Sequence, residues 1–425
     1  MNRKARILCT FLAAAAALPE LVTYSGYVRR GDYPGSAYQP RVDAVLRTSE
    51  SALQGGPFAT VPAKGKYSVA PGLINDLGVA AVVDGVTRLS GTLASTRTLG
   101  RLNLAVMSVA ILVLIMAWPG SLRLALVPVF LLVPLTAPLY RSADAIALHG
   151  PLAALAIGIV AGSLRGGYGR AAAFGVVLFA AHKLRSVYGL YPMLVLSVSV
   201  VILLLRFKDV SVVKRAAFVA LGFALCQAPW SVAVNRRLTD PRLVEKDALP
   251  SHVTYEALIS GIAWTSNPWG LKPQDPWVAA YLAERVGGEP VEIESVEGER
   301  RARLVYLGFV KERPGVLLTL YLKRVPQALA DYSLFGVGGA VVWISTSVAA
   351  LVLALKRRDA DGTMVLLGVC GIAACLVFQI AVIDTRFIYA YPLQFVSALA
   401  LATALPVLVR NVAPPRPGLG AGVLI

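Results

Sequence analysis

The stretch "LNLAVMSVAILVLIMAWP" (102–119) carries no charge, and "LYPMLVLSVSVVILLLRF" (190–207) carries one, Arg206. Each approaches the roughly 20 residues that a helix needs to cross a hydrocarbon core of ~30 Å. Backbone groups in lipid have no water to bond with, so segments of this kind must be helical there. The chain is 56% hydrophobic and 15% charged, which is far from the balance of an ordinary soluble domain. The expected class is an all-α polytopic membrane protein.

Apolar periodicity and length predict ten spans, at 6–24, 102–118, 123–140, 145–164, 171–188, 190–206, 213–234, 334–355, 363–383 and 387–409. With "MNRKAR" placed inside, the connections alternate. "MNRKAR", Arg123, "RGGYGR" (165–170), "RFKDVSVVKR" (206–215), "KRRDADG" (356–362) and Arg410 with Arg416 hold fifteen Lys and Arg, whereas "YRSAD" (140–144), "KLRSVYGLY" (183–191) and "DTR" (384–386) hold four. Basic residues collect on cytoplasmic loops, and this accounts for much of the formal charge of +17 without a nucleic-acid partner. The start "MNRKARILCTFLAAAAAL" also has the form of a cleavable signal peptide. The four cysteines and three histidines are scattered and show no CxxC pair or zinc spacing, so no metal is expected.

The expected organisation is a first span (1–24), a first extracytoplasmic loop with interfacial helices (25–101), spans two to seven (102–234), a second extracytoplasmic loop (235–333), spans eight to ten (334–410) and a cytoplasmic tail (411–425). Of the 24 Asp and Glu, five lie in 25–101 and thirteen in 235–333, so the polar chemistry gathers on the extracytoplasmic face. "YSVAPGLINDLGVAAVVDGVTRLSG" (67–91) reads as a helix lying in the interface, and "LVYLGFVKERPGVLLTLYLKRVPQALADY" (304–332) as two helices broken before Pro314.

Ionisable residues at the ends of spans are expensive and are functional suspects. On the outer side they are Asp32 and Asp43, Asp144, His182, Lys183 and Arg185, and Asp384 with Arg386. Such a set suits group transfer from a lipid-linked phosphate. A cation neutralises the phosphate as it leaves, while a carboxylate takes the proton of an attacking hydroxyl. The plainer reading is a ring of interfacial anchors.

Several stretches resemble bacterial GT-C glycosyltransferases, the protein-mannosyltransferase-like membrane enzymes that take sugars from polyprenyl phosphate. "VDAVLRTSESALQGGPF" and "VAPGLINDLGVA" are similar to the opening of their first outer loop, "APLYRSADAIALHGPLAALA" to their Arg-x-Asp span start, and "CQAPWSVAVNRRL" to their Pro-Trp exit. "YLGFVKERPGVLLTLYLKRV" resembles their Pro-centred return to the membrane and "DTRFIYAYPLQFVSALALA" their last span, all in family order. The resemblance implies a polyprenyl-phosphate sugar as donor and a glycan, lipid or protein as acceptor; some branches of the class use a metal ion, but nothing in this sequence demands one. It implies Asp43 as the base and Asp144 as a second carboxylate, with Lys183, Arg185 and Arg386 facing the donor phosphate and Trp230 and Asn235 shaping the cavity floor. The pattern departs at Ala44, where the family often has a second acid, and at Arg47, where it has an aromatic. Asp32 in "RRGDYPGSAY" therefore stands as a rival base.

The expected function is transfer of a sugar on the outer face of a cell (inner or plasma) membrane by a multi-pass protein with both termini cytoplasmic. A polysaccharide polymerase or ligase shares these features. A lipid-linked sugar flippase or other transporter would instead carry charges near the bilayer midplane and matched halves, and the mid-span positions here are apolar.

Overall fold

The computed structural model describes residues 3–30, 39–63, 65–69, 77–136, 145–244, 255–272, 275–291, 295–333, 335–382 and 391–412. In chain order the elements are α1 (Arg3–Arg30), α2 (Gln39–Leu53), β1 (Val61–Ala63), β2 (Lys66–Ser68), α3 (Leu77–Ser90), α4 (Thr96–Ala117), α5 (Leu126–Leu132), α6 (His149–Ser163), α7 (Tyr168–Leu184), α8 (Val187–Phe207) and α9 (Ser211–Leu238). They continue with α10 (Tyr255–Ala263), α11 (Asp275–Val286), α12 (Val296–Glu312), α13 (Pro314–Tyr332), α14 (Gly336–Lys356), α15 (Ala360–Val382) and α16 (Pro392–Val412).

Seven of these, α1, α4, α8, α9, α14, α15 and α16, are long and apolar enough to cross a membrane. The other three expected spans are helical over shorter stretches. α5 follows a 3-10 turn at Arg123–Ala125 and stops where Val133 turns extended, at φ −127° and ψ 103°. Val133 precedes Pro134, and the ring of a proline disfavours helix in the residue before it. α6 has 15 residues and α7 has 17.

Every residue of α6 is buried. A helix that is apolar on all sides belongs inside a bundle, and its Gly and Ala let neighbours come close. At Gly158 a Cβ would lie 3.2 Å from the Leu114 backbone of α4. The contact of α7 with α9 is tighter still: a Cβ at Gly222 would sit 2.1 Å from the Ala172 carbonyl oxygen, and one at Gly175 2.1 Å from that of Val219. Small residues at such crossings let helices associate by backbone packing.

One end of the bundle is fastened by arginines. Arg165 donates to Ala117 O (3.0 Å), Arg170 to Met116 O (3.1 Å), Arg123 to Trp118 O (3.0 Å), Arg215 to Leu164 O (3.0 Å) and Arg206 to Leu355 O (2.8 Å). Each guanidinium thus meets a carbonyl at a helix C-terminus, where the helix dipole also favours a cation. Arg165–Asp361 (2.8 Å) and Arg410–Asp359 add ion pairs.

The opposite end carries both polar segments. In the first, α2 and α3 pack together and β1 pairs antiparallel with β2, Pro62 opposite Tyr67. Of the stretch 67–91 read as one helix, α3 is the described helical part, while residues 67 and 68 belong to the hairpin. Buried Asp84 ties α3 to the loop after α2. Arg88 bonds both of its oxygens at 2.7 and 3.0 Å and also reaches Gly56 O at 2.7 Å. This cap is stitched to the exit of α9, since Tyr67 N donates to Arg242 O (3.1 Å) and Val244 N to Tyr67 O (2.9 Å).

The second polar segment has a core of its own, in which Trp269 stacks on Phe309 at 4.3 Å beside Ile259, Val278, Leu282 and Leu317. The break before Pro314 falls as expected, between α12 and α13. Buried Arg324 of α13 fixes this unit to the bundle, donating to Gly261 O of α10 (2.6 Å), to the Thr265 hydroxyl and to Ala381 O of α15 (3.0 Å).

Candidate functional site

At the end of the bundle opposite the arginine caps, two groups of side chains come together. The first surrounds the start of the buried helix α6. His149 Nδ1 shares a hydrogen bond of 2.9 Å with the Tyr188 hydroxyl, and the two rings meet edge to face. One turn further along α8, the Tyr191 hydroxyl donates to Gln379 Oε1 of α15 at 2.7 Å. Arg185, between α7 and α8, is buried at 6% exposure. Nearby chain ends are tied by Tyr391 donating to Pro134 O (3.0 Å) and by the Thr136 hydroxyl donating to Glu20 Oε1 (2.6 Å). Polar groups from α1, α6, α8 and α15 thus line the same end. Buried polar atoms of this kind hold their geometry because leaving them unpaired is costly.

The second group sits where α7 and α9 end. The Lys183 ammonium lies 5.2 Å from the Trp230 ring centroid and 5.3 Å from that of Phe179, a cation flanked by two π faces. Phe58 of the first polar segment meets Trp230 edge-on at 5.7 Å. A Cβ at Gly78 would come within 2.2 Å of the Lys183 carbonyl oxygen, so glycine there lets α3 press against this turn.

An apolar groove of about 520 Å³ lies between α13, α14 and α15, walled by Leu318, Leu322, Trp343, Ile344, Phe378 and Ala381. Its volume is within the ~300–1,000 Å³ of small-molecule sites. Phe378 lines the groove while the next residue, Gln379, joins the polar cluster. The last turns of α15 therefore separate an apolar channel from polar groups.

Of the residues singled out from the sequence, Lys183 and Arg185 fall at this end of the bundle, half-buried and buried respectively. Asp43 is on the exposed face of α2, one turn before Arg47, which donates to Pro62 O at 2.8 Å. Asp32, Asp144 and Arg386 lie outside the described residues. Trp230 packs against Phe58, Phe179 and Lys183, whereas Asn235 is exposed and the buried position in that turn belongs to Arg237. His149, Tyr188, Gln379 and Glu20 were not singled out. Tyr188 and Tyr191, one turn apart in an otherwise apolar stretch, are the sequence signal that could have found this polar face of α8. Among the described residues, no three His, Cys, Asp or Glu side chains converge to hold a metal ion. No family model matches the chain, and no curated protein or solved structure matches it.

Proposed function

We propose that the chain is a membrane glycosyltransferase that moves a sugar from a polyprenyl-phosphate donor to a glycan, lipid or protein acceptor on the extracytoplasmic face of a cell membrane, with both termini cytoplasmic. The observation that carries this reading is the juxtaposition across α15 of an apolar groove with a polar cluster containing Gln379, Tyr191, Tyr188 and His149. An amphipathic ligand with a long apolar tail and a charged head needs both environments side by side.

In the reaction the acceptor oxygen bonds to the anomeric carbon of the sugar as the bond from that carbon to the phosphate oxygen breaks. Polyprenyl phosphate leaves, and its charge is met by Lys183, Arg185 and Arg386. The acceptor's proton passes to a carboxylate, which we assign to Asp43, with Asp144 as the second acid. Asp43 is exposed on α2, where water and an incoming hydroxyl can reach it.

Membranes carrying Asp43→Asn should lose sugar transfer from a polyprenyl-phosphate donor by about 10²-fold or more, the usual scale for loss of a general base, with unchanged protein level. Loss on Asp32→Asn instead would move the base to Asp32. Near-normal transfer by both variants would overturn the assignment of a base to the first polar segment.

A further inference from the structure

Arg237, in the last turn of α9, is 2% exposed. Its Nε and Nη1 atoms meet no hydrogen-bond partner. A guanidinium taken out of water without a partner is strongly disfavoured, and a native structure keeps one where something else supplies the opposite charge.

The surroundings define what is missing. α7 and α9 run side by side in the same direction, with Ala172 against Gly222, Phe179 near Phe223 and Lys183 over Trp230. Arg237 is seven residues beyond Trp230, two helical turns on the same face and ~10 Å further along. α7 has ended by then, at Leu184, and Tyr67 of the hairpin pairs with residues 242–244 just past the end of α9, which makes the hairpin a cover there. The described carboxylates in this region have other places: Asp84 pairs with Arg88, Asp240 pairs with Arg242, and Asp43 and Glu50 are exposed on α2. Lys183 adds positive charge and makes no ion pair among the described residues. The region has cations beneath a cover and no described acid to answer them.

We propose that Arg237 anchors an anion-binding site beneath this cover, and that the site takes a phosphate group. The planar fork of guanidinium donors matches phosphate oxygens in pairs. The phosphate can come from an anionic phospholipid reaching up α9 or from solution. Arg237 lies ~10 Å beyond the Trp230 that Lys183 covers, and the site stands whichever reaction the chain performs.

The test uses the full-length protein in nanodiscs, with thermal unfolding as the readout. Three conditions are compared: phosphatidylcholine alone, phosphatidylcholine with inorganic phosphate, and phosphatidylcholine mixed with phosphatidylglycerol. The unfolding midpoint of the wild type should rise in one of the latter two, and Arg237→Met should abolish that rise. The Met variant should also match or exceed the wild type in phosphatidylcholine alone, because it removes a buried unpaired charge and keeps the volume. A rise with inorganic phosphate assigns a soluble ligand, and a rise confined to phosphatidylglycerol assigns a lipid headgroup. Should Arg237→Met fail to fold, Arg237→Lys serves in its place and should reduce the rise to about half or less, since the paired geometry is lost. No rise in the wild type, or an equal rise in wild type and variant, overturns the proposal.

Discussion

A single side chain's role here depends on helix phase, which sequence fixes only approximately. The Pro-Trp pair at 229–230 marked Trp230, but the choice between Asn235 and Arg237 was not legible. It follows from the way Gly222 seats against Ala172, and that crossing turns Arg237 inward and Asn235 out. Asp43 shows the same limit: its position beside two arginines was plain, while its exposure comes from the packing of α2 on α3. Ion pairs on the outer helices behave more simply. Hydrogen bonds from Arg300 and then Arg301 pull the Glu297 carboxyl down to about 2. A carboxylate lowered on folding adds stability above its unfolded value, near 4.5, and loses it as pH falls through the folded value. The stability difference between wild type and Glu297→Gln should therefore be constant above about pH 5 and vanish toward pH 2, as followed by acid titration of thermal unfolding. The group is exposed, so this difference should be small and weaken with salt.

At the scale of elements, the long apolar helices and the break before Pro314 were readable, because period and proline act locally. The hairpin at 61–68 was not, since strands of three residues leave no alternating pattern to detect. Three expected spans proved short for a related reason. Hydropathy counts apolar residues but does not report where α5 must stop before Pro134 or where α6 is surrounded by protein on all sides. The close contact of α7 with α9 makes a direct test. Gly222→Ala forces a methyl group into the Ala172 carbonyl and should lower stability by ~1–3 kcal/mol, the usual range for overpacking. Gly338→Ala in α14, where a Cβ meets nothing within 4 Å, should be neutral or stabilising by up to ~1 kcal/mol because alanine favours helix. Thermal or denaturant unfolding in detergent separates the two, and equal effects would contradict the packing described.

For the molecule as a whole, the charge asymmetry in the sequence has a structural counterpart. The arginines of the short basic connections are those that close helix C-termini at one end, and both polar segments sit at the other. The sidedness expected from this is open to test with a membrane-impermeant thiol reagent on intact cells. Trp277→Cys, at an exposed position of α11, should be labelled, and Arg357→Cys, at the arginine-capped end, should be labelled only after lysis. The reverse pattern would invert the topology and remove the proposed chemistry from the outer face. With 15 residues, α6 is ~22 Å long, less than the ~30 Å of a hydrocarbon core. With its C-terminus at the arginine-capped end, α6 leaves buried His149 ~8 Å short of the opposite edge of such a core, so a ligand that reaches His149 and Tyr188 enters between neighbouring helices that are themselves long enough to cross.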